Sequence, residues 1–302
     1  MSGGSRPPAL NMGRSLPSQC VIGVIVTITC FGSVTSRAAK TDIQQYSVVA
    51  RVGAKSAGLT SRDIIVRVGK VSVPATDIQS SPDVPRNIAI VMDTGPHQAN
   101  VLSKEKELAV ALINALSNAT TSFTIASAGA APDTKATTLD RSVAIDHVRE
   151  IAGDSGEKSN VPIYDGIGSA IRQISFSPGL RVIIFIGEGN DGGSRLRYAD
   201  LLSLAESFQV SFSAALVADH SLRGTKSILR YGWNLRDLAS DTAGIFLENQ
   251  EPSNEIRQLS ESVQDLRLIA FEMPTMHLRH SRVSVSVRRG KRLPAQKTMV
   301  VP

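Results

Sequence analysis

The sequence predicts an open, mainly parallel α/β sheet flanked by helices, with small β-strand additions at both ends. Three observations lead there. Ile88 to Met92 (IAIVM) and Arg181 to Ile186 (RVIIFI) are short apolar runs, as expected of strands buried on both faces. Segments with helical periodicity, about 10 to 15 residues long, alternate with strand-like ones, which is the signature of βαβ units. The first run ends at Asp93-Thr94-Gly95, a carboxylate delivered into a Gly/Pro loop, and open α/β sheets present ligand groups in this way.

The elements follow in order. Residues 39–85 read as β-rich: Tyr46 to Val52 and Ile64 to Val68 carry β-branched residues with partial alternation. Gly69-Lys70 is a tight connection into Val71 to Val73, and Ser80 to Pro85 has the composition of a linker, so a small hairpin subdomain is expected before the main sheet. Ser103 to Leu116 is a helix with an apolar face at Leu108, Leu112, Ile113 and Leu116, and with Glu105 and Glu107 suiting the positive end of its dipole. Phe123 to Ser127 is a strand and Arg141 to Ile151 a helix. Pro162 to Ile174 is a helix opened by proline. After Arg181 to Ile186 come a helix at Tyr198 to Phe208, a strand at Val210 to Leu216, a helix at Leu229 to Ala243, a short strand at Gly244 to Leu247 and a helix at Asn254 to Leu266. Leu268 to Met273 and Arg282 to Val287 read as a closing pair of strands. The domain boundaries implied are 1–38, 39–85, 86–266 and 267–302, the last a β-hairpin and tail.

The first 38 residues form a targeting segment. Arg14, the apolar stretch Val21 to Val34 and Ser36-Arg37-Ala38 make a charged region, a hydrophobic region and a small-residue cleavage site, the pattern of a secretory signal peptide. The protein is therefore expected to be exported, periplasmic or extracellular; the alternative is a membrane anchor over residues 21–34. Both cysteines, Cys20 and Cys30, lie in this segment, so a mature protein would have no disulfide, zinc–thiolate site or cysteine nucleophile. The segment holds Arg6, Arg14 and Arg37 and no acid, so its removal lowers the net charge from +6 to +3. That charge is too mild to indicate nucleic acid, and 4% aromatic residues offer little stacking surface.

Several chemistries can be read in the loops. Asp93-Thr94-Gly95 matches the aspartic-protease triplet, but that chemistry needs a second carboxylate. Asp154-Ser155-Gly156, the other triplet by letter, follows a predicted helix. Gly187-x-Gly189-x-x-Gly192 matches the dinucleotide fingerprint and follows a strand. It is not in the first βα unit, and Glu188 and Asp191 would repel a pyrophosphate, so a flexible acidic loop is expected instead. No Gly-x-Ser-x-Gly elbow supports a serine triad with His97 or His220. The basic end (Arg279, Arg282, Arg288, Arg289, Lys291, Arg292) reads as an edge hairpin whose charges discourage strand addition.

Three stretches together resemble a known family. IAIVMDTG-PHQ is similar to the first strand and metal-binding loop of von Willebrand factor type A domains, whose motif is Asp-x-Ser-x-Ser. VPIYDGIGSAI resembles their Thr-x-Leu-Tyr-Asp-Ala helix start, and RVIIFIGEGNDGGSRL their strand ending in Ser-Asp-Gly-Glu-Asp-Asn. AGLTSRDIIVRVGKVSVPA and the closing strands resemble the VWFA-related Acidobacterial domain family, a group of exported bacterial proteins. The resemblance spans residues 45–290 and implies a Rossmann-like fold of the A type carrying a metal-ion-dependent adhesion site.

Taken position by position, Asp93 keeps the family's residue. The two serine positions fall at Gly95 and His97, the threonine at Val161 and the second aspartate at Glu188. Mg²⁺ asks for octahedral oxygen ligands; Gly95 and Val161 offer no side-chain oxygen and imidazole suits Mg²⁺ poorly. No bound metal or other cofactor is expected, a divalent cation such as Mg²⁺ being the alternative. The resemblance thus implies a non-catalytic adhesion-type module. Its face would be the loops Asp93 to Asn100, Asn160 to Asp165 and Glu188 to Arg195, its partner a protein the sequence does not name. The contrasting reading is a hydrolase using Asp93 and Glu188, which requires the two carboxylates to be close with one pKa raised.

Overall fold

The computed structural model describes residues 43–53, 58–79, 84–95, 101–129, 132–153, 161–217, 226–248, 250–274, 281–288, 292–295 and 298–299. The predicted signal segment lies outside these residues. All of them belong to one compact unit, Thr41–Pro302.

The parallel sheet is built from β4 (Arg86–Asp93), β5 (Thr121–Ala128), β6 (Leu180–Gly187), β7 (Val210–Leu216) and β8 (Phe246–Glu248), in the order β5-β4-β6-β7-β8. Every adjacent pair is parallel. The helices are α1 (Leu102–Leu116), α2 (Arg141–Glu150), α3 (Ile163–Ile174), α4 (Tyr198–Ser207), α5 (Lys226–Asp241) and α6 (Pro252–Gln264).

The continuous apolar runs have a direct cause: side chains alternate across a strand, and here both faces are covered. Ile88, Ile90 and Met92 of β4, with Val182, Ile184 and Ile186 of β6, pack with Leu108, Leu112 and Ile113 of α1, Val148 of α2 and Leu259 of α6. Ala89 and Val91, with Ile183 and Phe185, pack on the opposite face with Ile167 and Ile171 of α3, Leu201 of α4 and Leu235 of α5. No position in β4 faces water, so its interior, Ile88 to Met92, is apolar throughout; its polar residues are confined to the ends, Arg86 and Asn87 at the start and Asp93 at the finish.

The remaining strands form a second sheet: β1 (Ile43–Arg51), β2 (Ile64–Val68), β3 (Val71–Gln79), β9 (Leu266–Pro274), β10 (Ser281–Val287), β11 (Arg292–Leu293) and β12 (Thr298–Met299). Its order is β1-β9-β3-β2-β10-β11, with β12 also on β10. The pairings are antiparallel. The β2–β3 hairpin forms on Gly69-Lys70 as expected, but it is not a separate subdomain. β9 inserts between β1 and β3, so the first and last parts of the chain share one sheet.

Nor do the two closing strands pair with each other. β9 makes a nine-position ladder with β1, from Ile43 opposite Pro274 to Arg51 opposite Leu266, and β10 pairs with β2. A long ladder between two apolar strands satisfies more backbone and buries more surface than a local hairpin.

This second sheet closes on itself. The Arg51 amide donates to Pro294 O at 2.8 Å, and Ala50 bridges Ala295, joining the β1 end to the segment after β11. The closed barrel is filled by Tyr46, Val48, Ile64, Val66, Phe271, Met273, Val283 and Val285. Val49, on the alternate face of β1, and Leu266 join the first core, fastening the barrel to the parallel sheet. Of the basic stretch, Arg282 lies on β10, which is interior, and Arg292 on the short β11, which pairs antiparallel with β10, ends the strand order and lies beside the closure seam; Arg279, Arg289 and Lys291 lie outside the described residues.

Candidate functional site

In the parallel sheet the chain reverses direction of travel between β4 and β6. From β4 it crosses to β5 on one side, and from β6 to β7 on the other. That switch point opens a crevice at the carboxyl ends of these two strands. Asp93 is the last residue of β4 and Glu188 follows the last residue of β6. A Cβ on Gly187 would collide with Asp93 Cβ, so only glycine lets the two strand ends approach this closely.

Both carboxyl groups sit below the surface, Asp93 at 2% and Glu188 at 5% exposure. Asp93 Oδ1 accepts the Gly95 amide at 3.0 Å. Burial pushes the Asp93 carboxyl up to about 7; the nearby Glu188 charge adds to this, and the amides of Gly95, Glu188 and Gly189 oppose it.

A third carboxyl belongs here. Glu105, in the first turn of α1, is fully buried, and neither of its oxygens has a hydrogen-bond partner among the described residues. Burial, reinforced by the charges of Asp93 and Glu188, holds its pKa well above the ordinary carboxylate range. The sequence reading placed Glu105 at the helix dipole. The missed signal was spacing: Glu105, Leu108, Ala109, Leu112, Ile113 and Leu116 form one continuous buried stripe of α1, and Glu105 sits in line with it.

The other predicted positions are apolar. Gly95 lies against Val161, and a Cβ at position 95 would collide with Val161 Cγ2. Val161 is buried, and its carbonyl accepts the Gly192 amide at 2.8 Å. His97 lies outside the described residues, as do 96–100 and 160 of the expected loop face. Among the described residues no three His, Cys, Asp or Glu side chains are placed to hold a metal ion together.

The loop after β6 is not the flexible acidic loop expected. Asp165, in the first turn of α3, accepts the amides of Arg195 and Leu196, both at 2.9 Å. In return Asp191 Oδ1 and Ser194 Oγ accept the Tyr164 amide at 3.1 and 3.0 Å, and the Ser194 hydroxyl donates to Asp191. Two free amides of the α3 terminus, those of Tyr164 and Asp165, are thus satisfied by the loop, and two loop amides by the helix. Gly193, Arg195 and Arg197 stand exposed on this braced loop. The dinucleotide reading fails here on context, because no helix opens at the glycines; α4 begins only at Tyr198.

No protein-family profile matches the chain, and no curated protein does. Solved structures do. The chain is similar to the conserved hypothetical protein BatB from Bacteroides thetaiotaomicron, at 17% identity over 59% of this chain and 96% of that one, with a TM-score of 0.46. It is similar to an aerotolerance-related membrane protein from Bacteroides fragilis, at 13% identity over 59% and 98% and a TM-score of 0.44. A von Willebrand factor type A structure from Catenulispora acidiphila matches at 10% identity over 85% and 73%, with a TM-score of 0.48. No functional residue is carried over from structures this distant. The fold itself is shown by its strand order and helix layers: a parallel sheet between two layers of helices, with added antiparallel strands.

Proposed function

We propose that this chain is an exported, non-catalytic protein-interaction module of the VWFA-related Acidobacterial type, and that it binds its partner through the braced loop surface rather than through a metal ion. The carrying observation is the reciprocal capping between Asp165 and the Glu188–Leu196 loop. A loop held in one conformation before binding loses little entropy on association.

The residues of the adhesion-site positions do not fit Mg²⁺. Gly95 supplies no oxygen, Val161 fills the space a serine there would need, and both carboxyls are buried. Asp93 is instead engaged with its loop's own amides. The hydrolase reading has one observation in its favour, the raised Asp93 beside Glu188. Against it, two groups at 2% and 5% exposure present little to a substrate.

Two experiments test this. Calorimetric titration of Mg²⁺ and Mn²⁺ into residues 39–302 should show no uptake; micromolar binding that Asp93→Ala abolishes would restore a metal-bridged mechanism. Capture from the envelope fraction should retain a protein on the parent chain and lose it on Arg195→Asp, which alters only an exposed side chain. Equal capture by both would remove this loop as the binding face.

A further inference from the structure

A cleft of about 890 Å³ lies where the barrel's closure seam meets the last strand of the parallel sheet. We propose that this cleft is a second binding site, one that takes an extended acidic peptide segment. It is separate from the loop face and independent of the reading given for that face.

The charge in the cleft is one-sided. Arg51, Arg236 and Arg292 line it, against the single acid Glu248. Arg236 is paired with Glu248 at 3.2 Å, and its guanidinium lies over the Phe246 ring at 4.9 Å. That leaves two guanidinium groups without a carboxylate contact. Arg292, on β11, is exposed and makes no ion pair among the described residues. Arg51 is half-buried at the seam and, among the described residues, its side chain donates one hydrogen bond, to Gly244 O at 3.3 Å. Asp265 acts on it through its charge, with no ion pair between them among the described residues. A partly desolvated guanidinium with spare donors gains more from a ligand carboxylate than one in water does, and its fork matches carboxylate geometry.

The walls decide between a small anion and a peptide. Ile245 and Phe246, both half-buried, give the cleft apolar surface alongside its charges. A free phosphate or carboxylate would leave that surface unused, and a polyanion would meet Glu248. β8 is also the terminal strand of its sheet, so its outward backbone groups have no strand partner. An added strand would satisfy them, with alternate side chains meeting the arginines and the apolar wall. Acidic residues alternating with β-branched ones suit all three features.

The test is fluorescence anisotropy on the full chain, with a labelled peptide of alternating glutamate and valine as probe. Two comparison peptides are used, one with lysine in place of glutamate and one with N-methylated alternate amides, and inorganic phosphate serves as competitor. The acidic peptide should bind, the lysine peptide should not, and Arg292→Glu should weaken binding about tenfold or more. N-methylation should weaken it comparably, since it removes the strand hydrogen bonds. Arg195→Asp, on the loop face, should leave it unchanged. Equal binding of acidic and lysine peptides, no binding of the acidic peptide, or indifference to Arg292→Glu would overturn the site. Full displacement by phosphate would overturn the peptide assignment in favour of a small anion.

Discussion

The parallel sheet and the barrel bury their strands in different ways. In β6, neighbours Ile183 and Ile184 point to opposite faces and both meet helices, so both are fully buried. In β2, Ile64 points into the barrel and is fully buried, whereas Ile65 points outward and is half-exposed. Two adjacent isoleucines thus do different work depending on how many faces of their sheet are covered. The same contrast governs the polar groups. The parallel sheet admits carboxyls only at its strand ends, where Asp93, Glu188 and Glu105 are buried together. The barrel carries its charges outside, at Arg51, Arg67 and Arg292.

The sharpest way to break this comparison is a set of truncations. Ile183→Ala and Ile184→Ala should each cost about 2–5 kcal/mol of unfolding free energy, and Ile64→Ala a similar amount. Ile65→Ala should cost under about 1 kcal/mol. Chemical denaturation measures all four. If Ile183 and Ile184 differ from each other as much as Ile64 and Ile65 do, the two-faced burial of the parallel sheet is wrong.

The carboxyl cluster makes the second contrast, through pH. Asp93 binds its proton more tightly folded than unfolded, because burial raises its pKa to about 7 from the ordinary 3.8. Between those values the folded state holds a proton that the unfolded state releases, so stability falls as pH rises through this window and levels off above about 7. At about 1.4 kcal/mol per pKa unit the Asp93 contribution reaches at most about 4 kcal/mol. Glu105, shifted in the same direction, extends the decline. Asp93→Asn should therefore be more stable than the parent above neutrality and lose that advantage in mild acid. A thermal-melt series across pH checks this, and parent and variant curves that run parallel would remove Asp93 as the source.

A smaller effect tests the packing at the adhesion-site positions. Gly95→Ser restores an oxygen but pushes a Cβ into Val161, so it should destabilise by about 1–3 kcal/mol. Val161→Ala in the same chain should recover part of that loss by opening the space. A double-mutant cycle in denaturant reads the coupling, and strictly additive losses would mean the two sites do not meet.

Much of the parallel half was legible beforehand. Val210–Leu216 emerges with the bounds expected, and β4, β6 and α1 differ from expectation by a residue or two. An apolar run between polar loops, or an apolar stripe at helical spacing, reports on residues adjacent in the chain. The carboxylates at the ends of β4 and β6 were legible for the same reason. Glu105 was not, because a glutamate in a first helical turn is usually solvated, and only the approach of β4 and β6 encloses it. The bracing of the loop after β6 by Asp165 was also missed, since it joins residues some thirty positions apart.

What the sequence by itself determined was the character of each segment: which stretches are strands buried on two faces, which helices cover them, and where carboxylates end the strands. These follow from periodicity and composition within a few turns of chain. Only the tertiary structure decided which strands become neighbours. β9 could have paired with β10 and instead separates β1 from β3, and the contacts of Ala50 and Arg51 with Ala295 and Pro294 join the two ends of the sheet. Strand pairing is a competition among distant segments for the same backbone groups, and the winner is set by the total ladder length and apolar surface buried. That sum is over the whole chain, which no local pattern contains.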